Sequence, residues 1–113
     1  MIEPISRQEL QELIVAGDVT VVETLRAEHY ADGHLPGALH LHVDSVDARA
    51  ADLIPDRDTA IVTYCSNELC RNSDLAAAKL IKLGYRNVRR YVGGKQDWIE
   101  SSLPLEQTVA VER

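Results

Sequence analysis

The chain has 113 residues, the length of one domain. Apolar residues make up 45% and charged residues 27%, a globular balance, and the 4% aromatic content, with no Phe, leaves Leu, Ile, Val and Ala to build the core. Twelve basic against 18 acidic residues give a net charge of −6, which argues against nucleic acid or an anionic membrane as a partner.

The first predicted element is a helix over Ser6–Ala16. Ser6 and Glu9 have the spacing of a capping box, Leu10, Leu13 and Ile14 recur at helical spacing, and Gly17 stops it. Val19–Thr24 is a β-branched run that predicts a buried strand. A short helical turn over Ala27–Tyr30 leads into a tight turn, Gly33-His34-Leu35-Pro36-Gly37. Ala38–Val43 predicts a second strand, and a helix beginning at Asp44, with Asp47 in its first turn, ends before Pro55. Thr59–Tyr64 is the strongest strand signal. Ser73–Leu83 predicts a helix with Ala76, Leu80 and Leu83 on one face, Asp74 at its start, Lys79 and Lys82 towards its end and Gly84 as its stop. Val88–Val92 reads as a strand and Gly94–Glu100 as a short helix. Strands alternating with helices at this pitch predict an α/β domain with a mainly parallel central sheet covered on both faces.

No stretch approaches the about 20 consecutive apolar residues of a membrane helix. Met1-Ile2-Glu3-Pro4 does not open a basic-then-apolar leader. The two cysteines, Cys65 and Cys70, are too few for a disulfide-stapled secreted scaffold. The expectation is one soluble, cytoplasmic domain over residues 1–113.

Chemistry concentrates in Cys65-Ser66-Asn67-Glu68-Leu69-Cys70-Arg71-Asn72-Ser73, between the best strand and the best helix. Ligands bind at the carboxyl ends of parallel strands, and a loop opening a helix there aims N–H groups and the helix dipole at its own centre. That environment favours an anion, so Cys65 is expected to be an accessible thiolate with a lowered pKa, and Arg71 is the candidate fixed charge for an oxyanion. By position alone, a cysteine at a strand end is as often a small buried hydrophobe.

Four segments carry a resemblance. They are Val21-Val22-Glu23 with Gly33-His34-Leu35-Pro36-Gly37-Ala38; Ile61-Val62-Thr63-Tyr64-Cys65; Ser73…Ala76-Ala77…Leu80…Gly84-Tyr85; and Val92-Gly93-Gly94-Lys95…Trp98 with Leu103-Pro104-Leu105-Glu106. Together, in this order, they make the chain resemble the single-domain rhodanese-like sulfurtransferases. The resemblance implies a rhodanese-like three-layer domain, a parallel sheet of about five strands flanked by helices, with Cys65 at the base of a cradle loop formed by Ser66, Asn67, Glu68, Leu69, Arg71, Asn72 and Ser73. It also implies that Cys65 takes a sulfane sulfur from thiosulfate or a small-molecule persulfide and passes it to a thiol, a protein cysteine or cyanide, with no metal and no organic cofactor.

The sequence departs from the family pattern in four places. Cys65 to Ser73 takes eight steps instead of the usual six. The usual Asp-hydrophobic-Arg after the second strand is replaced by Glu23-Thr24-Leu25. Glu68 adds a carboxylate that disfavours a dianionic donor and raises the thiol pKa. Cys70 is either a resolving thiol that attacks a Cys65 persulfide or a packing residue beneath the loop.

Two other classes stay open: a phosphatase- or arsenate-reductase-like enzyme using Cys65 and Arg71, six positions apart, and a non-catalytic rhodanese-like interaction module. Glu68 and the absence of glycine in the loop weigh against the first, and retention of Cys65 against the second. Among His29, His34, His40 and His42, the last two share a strand face by alternation but lack zinc spacing, and His34 reads as a hydrogen-bonded turn residue. Trp98 reads as core or pocket wall, Asp52, Asp56, Arg57 and Asp58 as a solvated loop, and Arg86, Arg89 and Arg90 as a solvated strand edge ahead of the alternative, a site for an acidic partner.

Overall fold

The two β-branched runs become neighbouring central strands in the computed structural model, which describes residues 2–107. In chain order the elements are β1 (Glu3–Pro4), α1 (Arg7–Ala16), β2 (Thr20–Glu23), α2 (Ala27–Asp32), β3 (Leu39–His40), a 3-10 turn (Val43–Ser45), α3 (Val46–Leu53), β4 (Ala60–Tyr64), α4 (Asn72–Lys82), β5 (Asn87–Arg90) and α5 (Gly94–Glu100). The five strands form one sheet in the order β1-β5-β4-β2-β3. Every pairing is parallel, with Val21 beside Val62 and Ile61 beside Val88.

Alternation along β2 sends Val21 to one face and Val22 to the other. On one face Val22 packs with Ile61, Val88, Val46, Ala50, Ala76 and Leu80, under α3 and α4. On the other, Val21 packs with Val62, Leu10, Leu35, Tyr91 and Trp98, under α1 and α5. Trp98 is therefore core, its indole N–H donating to the Pro104 carbonyl at 2.8 Å. Ser6 caps α1 by accepting the Glu9 N–H at 3.1 Å, while the Glu9 carboxylate, instead of closing the box, takes Arg89. Gly84 stops α4 at φ +100°, where a side chain would strain the backbone.

Three expectations change. β1 has no counterpart among the predicted strands: Glu-Pro carries no strand propensity, and only pairing with β5 makes it one. The second predicted strand shrinks to Leu39–His40 because the chain turns at His42, whose Nδ1 accepts the Asp44 N–H. His40 instead lies against the Leu25 carbonyl at 2.7 Å, so the two histidines do not face a common site. His34 is a turn residue as expected, 2.8 Å from the Tyr30 carbonyl and stacked on the Tyr30 ring. Among the described residues, no helix is long and apolar enough to cross a membrane.

The fully buried carboxylate of Glu23, at the end of β2, accepts the Tyr64 hydroxyl at 2.7 Å and lies 3.1 Å from Lys95 Nζ. Lys95 also donates to the His29 carbonyl at 2.9 Å. Burial, and then Glu23, push the Tyr64 phenol up, so it stays a donor to that carboxylate. Replacing Glu23 by Gln should leave Lys95 without its counter-ion and cost about 3 kcal/mol or more, read from urea unfolding midpoints. Adding Lys95→Met to that variant should restore part of the loss.

Candidate active site

Cys65 follows β4 directly, and α5 holds its loop from above. The Lys95 N–H donates to the Cys65 carbonyl at 2.9 Å and the Gln96 N–H to the Ser66 carbonyl at 2.8 Å. This approach requires Gly94: its φ is +64°, and a Cβ there would lie 2.5 Å from the Cys65 carbonyl oxygen. The loop then folds back on itself. Asn67 accepts the Leu69 N–H on its side chain at 2.9 Å and the Cys70 N–H on its carbonyl at 3.1 Å. Glu68 and Leu69 are left at the exposed tip, and Cys70 returns towards Cys65.

The Cys65 sulfur lies 3.3 Å from both the Cys70 carbonyl and the Ser73 hydroxyl. Cys65 is 1% exposed, which corrects the expectation of an accessible thiolate. Burial above all, and then the bond to Cys70, push its thiol up, against hydrogen bonds from the hydroxyl and N–H of Ser73 that favour the thiolate. Cys70 is half-buried and behaves in the opposite way. Burial pushes its thiol up too, but the Cys65 thiol, the N–H groups of Asn72 and Ser66 and the charge of Arg90 outweigh it and hold Cys70 below its ordinary value. The amides of Asn72 and Ser66 therefore favour the Cys70 thiolate, and the Ser73 N–H favours that of Cys65.

The fixed charge at the loop is Arg90, at the end of β5. Its Nε donates to the Ser73 hydroxyl at 2.7 Å and its terminal nitrogen to the Cys70 carbonyl at 2.9 Å. Arg71, expected in that role, has a side chain 72% exposed and paired with Asp74 at 3.2 Å, so the arginine of the phosphatase-like reading stands at the surface. Arg89 does pair at the surface, with Glu9, and Arg86 with Asp58, so of that cluster Arg90 alone turns under the loop. The remaining loop residues are structural in their contacts. The Asn72 amide reaches the Thr24 carbonyl at 3.4 Å, and the buried Ser73 carbonyl accepts the Thr63 hydroxyl at 3.0 Å. A cleft of about 410 Å³ opens beside the loop, lined by Leu25, His29, Ser66, Asn67, Lys95 and Ile99 among others; neither cysteine lines it. Among the described residues, no three His, Cys, Asp or Glu side chains converge as metal ligands would.

Sequence reasoning missed Arg90, Lys95, Tyr64 and the role of Glu23. The signal available was an acidic residue closing an otherwise apolar strand, which demands a buried partner.

Comparison with known proteins bears on the family and the fold. The profile of the rhodanese-like domain matches residues 6–101. The HTH-type transcriptional regulator Rv0324 of Mycobacterium tuberculosis is 33% identical over 96% of this chain and 47% of its own length. A sulfurtransferase of Allochromatium vinosum is 31% identical over 93% of this chain and 95% of its own. Among solved structures, the BH2092 protein of Bacillus halodurans superposes with a TM-score of 0.86 at 26% identity, covering 95% of this chain and 78% of that one. The chain spans less than half the length of the first curated relatives it matches, 47% and 41%.

Two measurements check the site. Iodoacetamide should alkylate Cys70 before Cys65, with a pH inflection below that of a free thiol, as mapped by peptide mass. Gly94→Ala should lower stability by about 1–3 kcal/mol and open Cys65 to alkylation, because the carbonyl it meets belongs to the loop backbone and must move.

Proposed function

The chain belongs to the rhodanese-like domain family, and from that membership we propose that it is a sulfurtransferase that carries a sulfane sulfur on Cys65 from a persulfide-type donor to a thiol or protein-cysteine acceptor. The observation that carries this reading is the Cys65 sulfur at the carboxyl end of β4, inside a loop whose N–H groups at Ser66, Asn72 and Ser73 converge on the two thiols.

Burial pushes the Cys65 thiol up, so attack by Cys65 begins with loss of its proton, which leaves with the donor's thiol as RSH. The Cys65 thiolate then attacks the outer sulfur of the donor RS–SH. A new S–S bond forms to Cys65, the donor's own S–S bond breaks, and RS− departs with the electron pair. An acceptor thiolate attacks the carried sulfur in turn and returns Cys65 as thiolate. Arg90 keeps the Ser73 hydroxyl and the Cys70 carbonyl in place throughout.

Donor choice follows from the surface charge. Glu68 stands exposed at the loop tip and the nearby Arg71 is engaged by Asp74, so a thiosulfate dianion meets net repulsion and a less charged persulfide is preferred.

With cyanide as acceptor, thiocyanate production should be lost by about a thousandfold or more in Cys65→Ser and retained in Cys70→Ser. A Cys65→Ser chain that turns over at the unmutated rate overturns the reading. Glu68→Gln should raise the thiosulfate rate about two- to fivefold at low salt and leave the persulfide rate nearly unchanged.

A further inference from the structure

We propose that Cys70 is a second catalytic residue, which attacks the sulfur-loaded Cys65, expels the carried sulfur as sulfide and leaves a Cys65–Cys70 disulfide. This rests on the persulfide reading above and adds the fate of the sulfur. Three features of the loop carry it.

The first is reach. The turn through Asn67, with its two hydrogen bonds to the Leu69 and Cys70 N–H groups, bends the chain so that the Cys65 sulfur lies 3.3 Å from the carbonyl of Cys70 itself. The side chain of that same residue is the sulfur that bears on Cys65. Arg90 holds the Cys70 carbonyl at 2.9 Å, which fixes the residue against the nucleophile rather than leaving it on a mobile tip.

The second feature is competition for the cradle. The outer sulfur of a loaded Cys65 would be stabilised as an anion by the loop amides, but the Ser66 and Asn72 N–H groups already serve the Cys70 sulfur. The Ser73 N–H and hydroxyl remain with Cys65, so a carried sulfur and the Cys70 sulfur would share one small cradle.

The third is charge. Arg90 and the two amides favour Cys70 as thiolate, the form that attacks an S–S bond, and Cys70 is half-buried, open enough for the departing sulfide to leave past it.

The step balances. The Cys70 thiolate bonds to the Cys65 sulfur of Cys65–S–SH, the bond from that sulfur to the carried one breaks, and HS− leaves with the electron pair and its proton. The carried sulfur is reduced by two electrons, and each cysteine sulfur is oxidised by one. Two equivalents of a low-molecular-weight thiol reset the pair and leave as that thiol's disulfide, so the co-substrate class is a small reducing thiol.

The test is a time course of intact mass and released sulfide after one equivalent of glutathione persulfide, acid-quenched, with no other thiol added. The unmutated chain should gain one sulfur atom transiently, then lose it and two hydrogens while releasing one equivalent of sulfide. Peptide mapping should find Cys65 joined to Cys70, a readout that needs no variant. Cys70→Ser and Cys70→Ala should stop at the stable one-sulfur gain and release no sulfide. If the unmutated chain keeps its extra sulfur as long as these variants do, the role of Cys70 is overturned and the persulfide reading stands. If neither the unmutated chain nor either variant gains sulfur, both fall.

Discussion

A carboxylate with no exposed surface is tolerated only where hydrogen bonds and an opposite charge replace the water it has lost, and Glu23 sets the plan of the site by needing both. Its partners come from β4, through the Tyr64 hydroxyl, and from α5, through Lys95, which also holds the end of α2 by the His29 carbonyl. The same Lys95 presents its N–H to the Cys65 carbonyl. Residue 64 and residue 95 are thus tied at their side chains by one acid, while residue 65 and residue 95 are tied at their backbones. The buried charge network thus sets where the loop begins, and the turn through Asn67 sets how it folds back. The Tyr64 hydroxyl extends the network further, accepting the Leu35 N–H at 3.0 Å and so anchoring the turn between α2 and β3.

The electrostatics of the cysteine pair come from the amides of the loop, and Arg90 on a neighbouring strand adds the fixed charge. Arg90 is 17 and 20 residues from its two acceptors, Ser73 and Cys70, and reaches them because β5 lies beside β4. Helix α4 adds the N–H groups of its first residues, Asn72 and Ser73. A division of labour results. Cys65 sits deep, its thiol pushed up by burial, while Cys70 sits nearer solvent, its thiol held down by amides and Arg90.

The α/β class, the sheet's parallel sense and the position of Cys65 were legible because they rest on local patterns. An apolar run ends at residue 65, a 3.6-residue period begins a few residues later, and turn residues separate each unit. What was not legible depends on contacts far apart in the chain. Glu23 and Lys95 are separated by 72 positions, and nothing near either one names the other. Arg90 reads as a solvated edge because arginine in a strand usually is one; only the strand order turns it under the loop. Arg71 shows the reverse case. Its spacing from Cys65 is suggestive, but it precedes the first turn of α4, where Asp74 is within reach along the helix surface. The lowered thiol was expected at Cys65 and falls at Cys70 for a related reason: spacing places Cys70 in the loop without revealing that the chain doubles back.

Both outer strands, Glu3–Pro4 and Leu39–His40, are two residues long. Pro4 has no N–H to offer, and the chain leaves β3 at once for the turn at His42. An all-parallel sheet flanked by longer strands would present ladders of unpaired backbone groups on which other chains could assemble. Here each rim is too brief to act as a template, so the protein can keep a reactive sulfur pair at the end of its central strand without inviting sheet-to-sheet polymerisation along its margins.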